Sequence, residues 1–429
     1  MTGIKTKKPF FPSLFLSFVS KRSFYRLLLE RLGWNRYNEK EFRQERIHPM
    51  IYFDHSATSP IYPESLNTYI QTSQRMIGNP SSLHDLGNQA HRLLQRAREQ
   101  VADYLSVTSK EIFFTSGGTE GNNWIIKGTA LAKKNFGNHV ILSSIEHPSV
   151  TESAKQLTEL GFELSYAPVD ERGFVDVVRL EQLIRKETIL VSIMAINNEI
   201  GAIQPIKEIS RVLENYPTIH FHVDAVQGVG HVDTNIWLTP RVDFATFSAH
   251  KFHGPRGVGF IFWRYGRKLA PLLTGGGQEN NARSSTENLA GIVAMARSLR
   301  LTLEKKAQAP NHVAQLKSEL LTALGKYEKV TRFSQEENFA PHIICFGLKG
   351  IRGEVLVHAF EEKSIYISTT SACSSKKQQV KGTLNAMQVP NELATTAVRV
   401  SLDQSNTMVE VEQFLIVFNQ LYQKFSKIN

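Results

Sequence analysis

Residues 244–262 read FATFSAHKFHGPRGVGFIF. An apolar run ends at Ser248. His250, Lys251 and a Gly/Pro-rich turn follow, and a second apolar run begins at Val258. Short runs of β-branched and aromatic residues bounded by turn residues spell buried strands. The same texture recurs upstream in EIFFTS, HVILSS, TILVSIMAI and HFHVDAV. Amphipathic stretches such as SVTESAKQLTELG and IKEISRVLENY lie between them, and the glycine after LTEL suits a helix C-terminus. Strands alternating with helices predict an α/β fold, a mostly parallel sheet with helices on both faces. A lysine at the end of a parallel strand then sits where open α/β sheets place their ligands. Desolvation there would depress its pKa and make the amine a better nucleophile. A single lysine in such a place is more often a solvated loop residue, so its company decides.

That company is specific. In HFHVDAVQG, period-two alternation puts His220, His222 and Asp224 on one strand face. This trio reads three ways: a metal site, a carboxylate aimed at a cofactor nitrogen, or buried polar groups that satisfy one another. In FFTSGGTEGNN a strand, a glycine turn and a helix start follow in order. The backbone N–H groups around Gly118 could cradle a phosphate there, with the Thr119 hydroxyl as a further donor. The stretch matches neither the P-loop nor the dinucleotide fingerprint. TGGGQENNARSST is a second glycine-rich stretch, with Arg283 and Thr286 available to an anion. TAVRVSLD carries the late, isolated Arg399. A strand-end lysine, a strand carboxylate, a phosphate cradle and an arginine able to clamp a carboxylate are the parts a pyridoxal phosphate enzyme needs.

The chain has 429 residues, 41 % of them hydrophobic and 21 % charged, which suits two globular domains. Two cysteines exclude a disulfide framework or a cysteine-rich zinc site and point to a reducing compartment. Cys345 lies in the apolar HIICFG, whereas Cys373 lies among polar residues in STTSACSSKKQQVK, residues 368–381. The net charge of +10 invites a nucleic-acid reading, but its distribution argues against one. Residues 1–49 hold 11 Lys/Arg against 4 Asp/Glu, the remaining 380 hold 39 against 36, and no nucleic-acid motif accompanies them. The early run FFPSLFLSFV is too short to span a bilayer, and no small-residue cleavage site follows it. Residues 1–49 therefore read either as a targeting segment or as an appendage from an upstream start codon, with the recognisable domain opening at Met50.

From Met50 onward the chain resembles the cysteine desulfurases of the NifS/IscS-like group, within the class V aminotransferase superfamily. The resemblance rests on ordered matches: YFDHSAT, GNPSSLH, FTSGGTEGNN, EHPSV, NNEIGAIQP, HVDAVQGVG, SAHKFHGPRGVG, GGGQE, RSSTEN, SACSS and VRVSL. It implies a fold-type I transferase dependent on pyridoxal 5′-phosphate, and no metal. By position, Lys251 resembles the lysine that holds the cofactor covalently, and Asp224 the partner of its pyridine nitrogen. Gln227 resembles the donor to its phenolic oxygen. His147 resembles the ring-stacking residue that assists proton transfer. Gly118, Thr119, Ser248 and His250 would bind phosphate. Thr286 would do so from the partner subunit of a homodimer. Asn198 and Arg399 would hold the substrate carboxylate. Cys373 matches the cysteine that accepts sulfur as a persulfide.

The resemblance further implies L-cysteine as substrate and L-alanine as product. A sulfur-acceptor protein, either an iron–sulfur scaffold or a tRNA-thiolation enzyme, would take the sulfur. The expected location is cytoplasmic, with no direct nucleic-acid contact and no membrane. The alternative reading is an aminotransferase or lyase using the same cofactor on another amino acid, which leaves Cys373 without a task. The expected organisation is an extension over 1–49, a large cofactor-binding domain over 50–305, and a smaller α+β domain over 306–429 carrying the cysteine loop. Two departures from the family pattern stand out: NNA after GGGQE, and Asp403 in place of a glycine-containing stretch. Either could alter the dimer-related loop or the substrate mouth.

Overall fold

The computed structural model describes residues 50–370 and 382–426. Residues 51–429 cluster as one compact unit. In chain order the strands are β1 (Ile51–Tyr52), β2 (Ile112–Thr115), β3 (His139–Ser143), β4 (Glu163–Ala167), β5 (Thr188–Met194), β6 (His220–Asp224), β7 (Phe244–Ser248), β8 (Gly259–Trp263), β9 (Val330–Arg332), β10 (Ile343–Leu348), β11 (Ile365–Tyr366), β12 (Ser368–Thr369) and β13 (Ala397–Ser401). The helices that matter here are α1 (Pro63–Arg75), α2 (Asp85–Leu105), α3 (Gly118–Lys133), α4 (Pro148–Thr158), α5 (Ile206–Glu214), α6 (Leu289–Gln308), α7 (His312–Leu324) and α8 (Met408–Ser426).

The main sheet has seven strands in the order β2-β8-β7-β6-β5-β3-β4. Four neighbouring pairs are parallel, and only β8 runs against its two neighbours. Ten residues separate β7 from β8, a connection too short for the helical crossover that a parallel pair needs. Because β8 alone is reversed, β2, β3, β5, β6 and β7 all end on the same side of the sheet. Every residue of β2, β3, β5, β6 and β7 is buried, which is why these strands read as unbroken apolar runs.

Helix α3 packs unusually close to this sheet. A Cβ on Gly121 would meet Ile261 Cγ2 and Thr246 Cγ2 at 2.8 Å, so only glycine allows the approach. Trp124, Ile125 and Ile126 of the same helix are fully buried. Helix α6 lies against α1 and α2 on the other side of the core.

A smaller C-terminal domain is built on an antiparallel sheet in the order β12-β13-β10-β9. Val411, Phe414, Phe418 and Leu421 of α8 and Leu316, Leu320 and Leu324 of α7 fill its core. The buried α8 residues recur at helical spacing, three and four apart, along one stripe. Strand β1 pairs in parallel with β11, so the first described residues join the C-terminal half of the chain. Among the described residues, no helix is long and apolar enough to cross a membrane.

Candidate active site

The functional side chains gather where the sheet strands end, at the carboxyl edge that open α/β sheets use for ligands. Strand β7 ends at Ser248, and a single 3₁₀ turn, Ala249–Lys251, carries Lys251 away from it. The Lys251 ammonium donates to the carbonyls of Ser56 and Ala57, the latter at 2.8 Å. Gln227, just beyond β6, also donates to the Ser56 carbonyl, at 3.0 Å. The YFDHSAT loop thus brings Lys251 and Gln227 together through one backbone oxygen.

Asp224 is the last residue of β6 and is 6 % exposed. Its carboxylate accepts from the Asn122 side-chain amide at 2.8 Å and from the Val226 N–H at 3.1 Å. Asn122 also donates to the Ser149 hydroxyl at 2.8 Å, and that hydroxyl lies 2.8 Å from His147 Nδ1. His147 caps helix α4 by accepting the Ser149 N–H on Nδ1 at 3.1 Å. Burial lowers the His147 pKa, with Asp224 opposing and Lys251 assisting. A neutral ring that accepts at Nδ1 carries its proton on Nε2. His147 is therefore a neutral imidazole in a fixed tautomer, tied to Asp224 through two side chains.

A third cluster surrounds the start of α3. Gly117 has φ +151, and a Cβ there would lie 3.5 Å from Ser248 Oγ. A Cβ on Gly118 would come within 2.9 Å of Val226 Cγ2. The Ser248 hydroxyl therefore lies beside the first turn of α3, whose N–H groups and Thr119 open a helix N-terminus. His250 Nδ1 lies 3.2 Å from Thr58 Oγ1. Burial, helped by Lys251 and Arg256, pushes the His250 pKa down to about 4, so it would meet an anion as a neutral donor.

Arg399 sits in the middle of β13 and is 6 % exposed. Its guanidinium donates to the Asn198 carbonyl at 2.9 Å and to the Asp54 carboxylate at 2.8 Å, while its Nε is buried without a partner. Asp54 in turn accepts from the Ser368 hydroxyl at 2.7 Å. Ser368 is the β12 residue paired with Arg399 across the sheet. Asp54, Ser56, Asn122 and Ser149 are the members that sequence reasoning left without a role. Asp54 and Ser56 stand in a motif that the resemblance quoted, but no local pattern says which side chain or carbonyl they serve.

Four further expectations meet different outcomes. Arg283 is not available to an anion, because its Nε and Nη2 fork onto the Glu120 carboxylate at 2.8 and 3.0 Å. Asp403 is buried against His253, with Nε2 to Oδ2 at 2.9 Å. Thr286 is exposed, and among the described residues no hydrogen bond joins its side chain to the phosphate pocket. Cys373, with Lys376 and Lys377, lies outside the described residues.

The donor set suits a flat, phosphate-bearing pyridine such as the pyridoxal phosphate implied by the resemblance. A buried carboxylate is present for a ring nitrogen, an amide donor for a phenolic oxygen, a helix N-terminus with hydroxyls for phosphate, and an amine for the aldehyde carbon. The chain's similarity to known proteins agrees with that chemistry. A family model described as aminotransferase class-V matches residues 51–414. A "NifS/IcsS protein homolog" of Lactobacillus delbrueckii subsp. bulgaricus is 53 % identical over 384 residues, 89 % of this chain and 99 % of that one. "Cysteine desulfurase IscS" of Dictyoglomus turgidum is 39 % identical over 380 residues, covering 88 % and 96 %. Among solved structures, a "NIFS-LIKE PROTEIN" superposes with a TM-score of 0.81 at 38 % identity, covering 88 % of this chain and 99 % of that one.

Proposed function

The chain belongs to the aminotransferase class-V family, and from that premise we propose that it is a cysteine desulfurase dependent on pyridoxal phosphate. It converts L-cysteine to L-alanine and leaves the sulfur on Cys373 as a persulfide. The substrate C–S bond breaks with its electron pair left on Cβ, an S–S bond to Cys373 forms, and one proton takes the place of the sulfur at Cβ. The observation that carries the reading is the convergence of Lys251, Gln227, Asp224 and His147 at one sheet edge, beside a helix N-terminus and a carboxylate-binding arginine.

The cofactor, when bound, supplies an electron sink beside the substrate Cα. Lys251 supplies the amine that holds it. Asp224, fixed by Asn122, holds a proton on the ring nitrogen. His147, with its proton on Nε2, would stack on the bound ring and pass protons at the substrate. Gly118, Thr119, Ser248 and His250 hold the phosphate, and Thr286 adds a hydroxyl from a partner subunit of a homodimer. Arg399, held in place by Asp54, takes the substrate carboxylate with Asn198, and its unpartnered Nε leaves it a donor to spare.

Cys373 is four residues beyond Thr369, the last residue of β12, whose other residue pairs with Arg399. At about 3.3–3.6 Å per residue, covalent geometry keeps its Cα within roughly 14 Å of Thr369. Ser368, the residue paired with the substrate clamp across the sheet, thus precedes the sulfur acceptor by five residues in the chain. The reaction runs in the cytoplasm, and an iron–sulfur scaffold or a tRNA-thiolation enzyme collects the sulfur. The test is sulfide and alanine release from L-cysteine with a dithiol reductant. Equimolar release, with sulfide lost in Cys373→Ala and the bound chromophore lost in Lys251→Ala, is the expected result. Alanine-free turnover, or undiminished sulfide from Cys373→Ala, would refute it.

A further inference from the structure

Behind the Lys251 turn lies a second polar cluster that the proposed chemistry does not use. His55, His253 and Asp403 each point one ligand atom into it, and these atoms all lie within 4.8 Å of one another. The three residues are 6 %, 4 % and 5 % exposed. They come from three distant segments: the loop after β1, the loop after Lys251, and the end of β13.

The hydrogen bonds of His253 do not balance as a neutral ring. Nδ1 lies 2.8 Å from the Pro60 carbonyl, and Nε2 lies 2.9 Å from Asp403 Oδ2. Both neighbours are acceptors, while a neutral imidazole has a single N–H. With Nδ1–H given to Pro60, Nε2 turns a lone pair toward a carboxylate oxygen. A cation between them, a second proton or a metal ion, removes that mismatch.

His55 distinguishes the two. A second proton on His253 would leave His55 unserved. Neither of its ring nitrogens meets a partner in hydrogen-bond geometry, although both are buried. In either tautomer one ring nitrogen therefore offers a buried, unmet lone pair. His253 also holds φ +61, a left-handed backbone that non-glycine residues adopt at a cost and that collects at functional sites. Its Nδ1 bond to a backbone carbonyl is the support that metal-binding histidines usually have.

We propose that His55, His253 and Asp403 bind one divalent transition-metal ion of the Zn²⁺ type. Two imidazole nitrogens and one carboxylate oxygen are a known donor set for such ions, with a further position open to water. Ligands about 2.0–2.2 Å from a metal lie roughly 3–3.5 Å apart, and the His253–Asp403 separation is already close to that. The ion takes no part in turnover. It braces the loop whose Ser56 and Ala57 carbonyls hold Lys251, because His55 begins that loop and His253 ends the Lys251 turn. Ser59 reinforces the brace, donating to the His250 carbonyl and accepting the His253 N–H, each at 2.8 Å.

The experiment uses full-length holoenzyme carrying Cys373→Ser, so that the loop thiol contributes no ligand. The protein is stripped with a chelator, equilibrated with Zn²⁺, dialysed and assayed for metal by mass spectrometry. About one ion per chain is expected, together with a rise in Tm on adding Zn²⁺. His55→Gln and Asp403→Asn should each bind at least tenfold more weakly, whereas His222→Gln should bind as the parent does. Co²⁺ in place of Zn²⁺ should give a ligand-field band without sulfur charge transfer, a readout that needs no variant to fold. Sub-stoichiometric Zn²⁺ and Co²⁺ with no change in Tm would overturn the proposal. So would equal occupancy in His55→Gln and Asp403→Asn.

Discussion

Two trios of the same composition, two histidines and an aspartate, occur in this molecule with opposite environments. His220, His222 and Asp224 lie at alternate positions of β6. Each is served by a different neighbour. His220 Nδ1 meets the Thr129 hydroxyl at 3.1 Å, His222 lies between Ser192 at 2.8 Å and Thr246 at 3.0 Å, and Asp224 takes Asn122. His55, His253 and Asp403 are separated by long stretches of chain, yet their ligand atoms converge. Side chains two apart on a strand share a face but stand side by side, roughly perpendicular to the sheet. Sharing a face puts them in one layer without making them meet. Convergence requires segments arriving from different directions, and only tertiary structure supplies that.

The largest test of this contrast is Asp224→Asn. If Asp224 serves a cofactor nitrogen, alanine formation should fall on the order of 10²–10³-fold, with metal content unchanged. A loss of only a few-fold would place Asp224 among merely structural residues. Next is acid sensitivity. Burial pushes the His222 pKa down from 6.5 to about 3, so its contribution to stability is full above about pH 6.5 and is lost as pH falls toward the folded value. The wild type should lose about 1.4 kcal/mol per pH unit below that point from this residue alone. His222→Gln should flatten the acid limb in urea titrations at pH 7 and pH 5. An unchanged slope would mean that His222 is charged in the fold. The smallest effect is Thr129→Val, which removes the partner of His220 Nδ1 and should cost about 1–2 kcal/mol in the same titration, with metal content intact. A neutral result would show that His220 finds another partner.

The same contrast explains what could be read from the residues alone. The buried strands were legible because a sheet covered on both faces demands continuous apolar runs. Strand β4 was not, since its residues Glu163–Tyr166 are half-buried or exposed and polar groups interrupt its pattern. Lys251 and Asp224 were legible because strand ends hold ligands in this fold class. Asp54 and Asn122 act through partners 345 and 102 residues away, and nothing local records that. Asp403 was visible as a departure from the family pattern, but its place opposite His253 was not. Arg283 looked free because its partner Glu120 is 163 residues away in sequence.

The desulfurase reading itself depends on sulfur reaching Cys373. The most direct measurement is mass spectrometry of the holoenzyme after a short exposure to L-cysteine without reductant, with alanine quantified in the same sample. One added sulfur atom on the peptide bearing Cys373, and one alanine per chain, is the predicted result. Alanine formed with no sulfur on that peptide would contradict it.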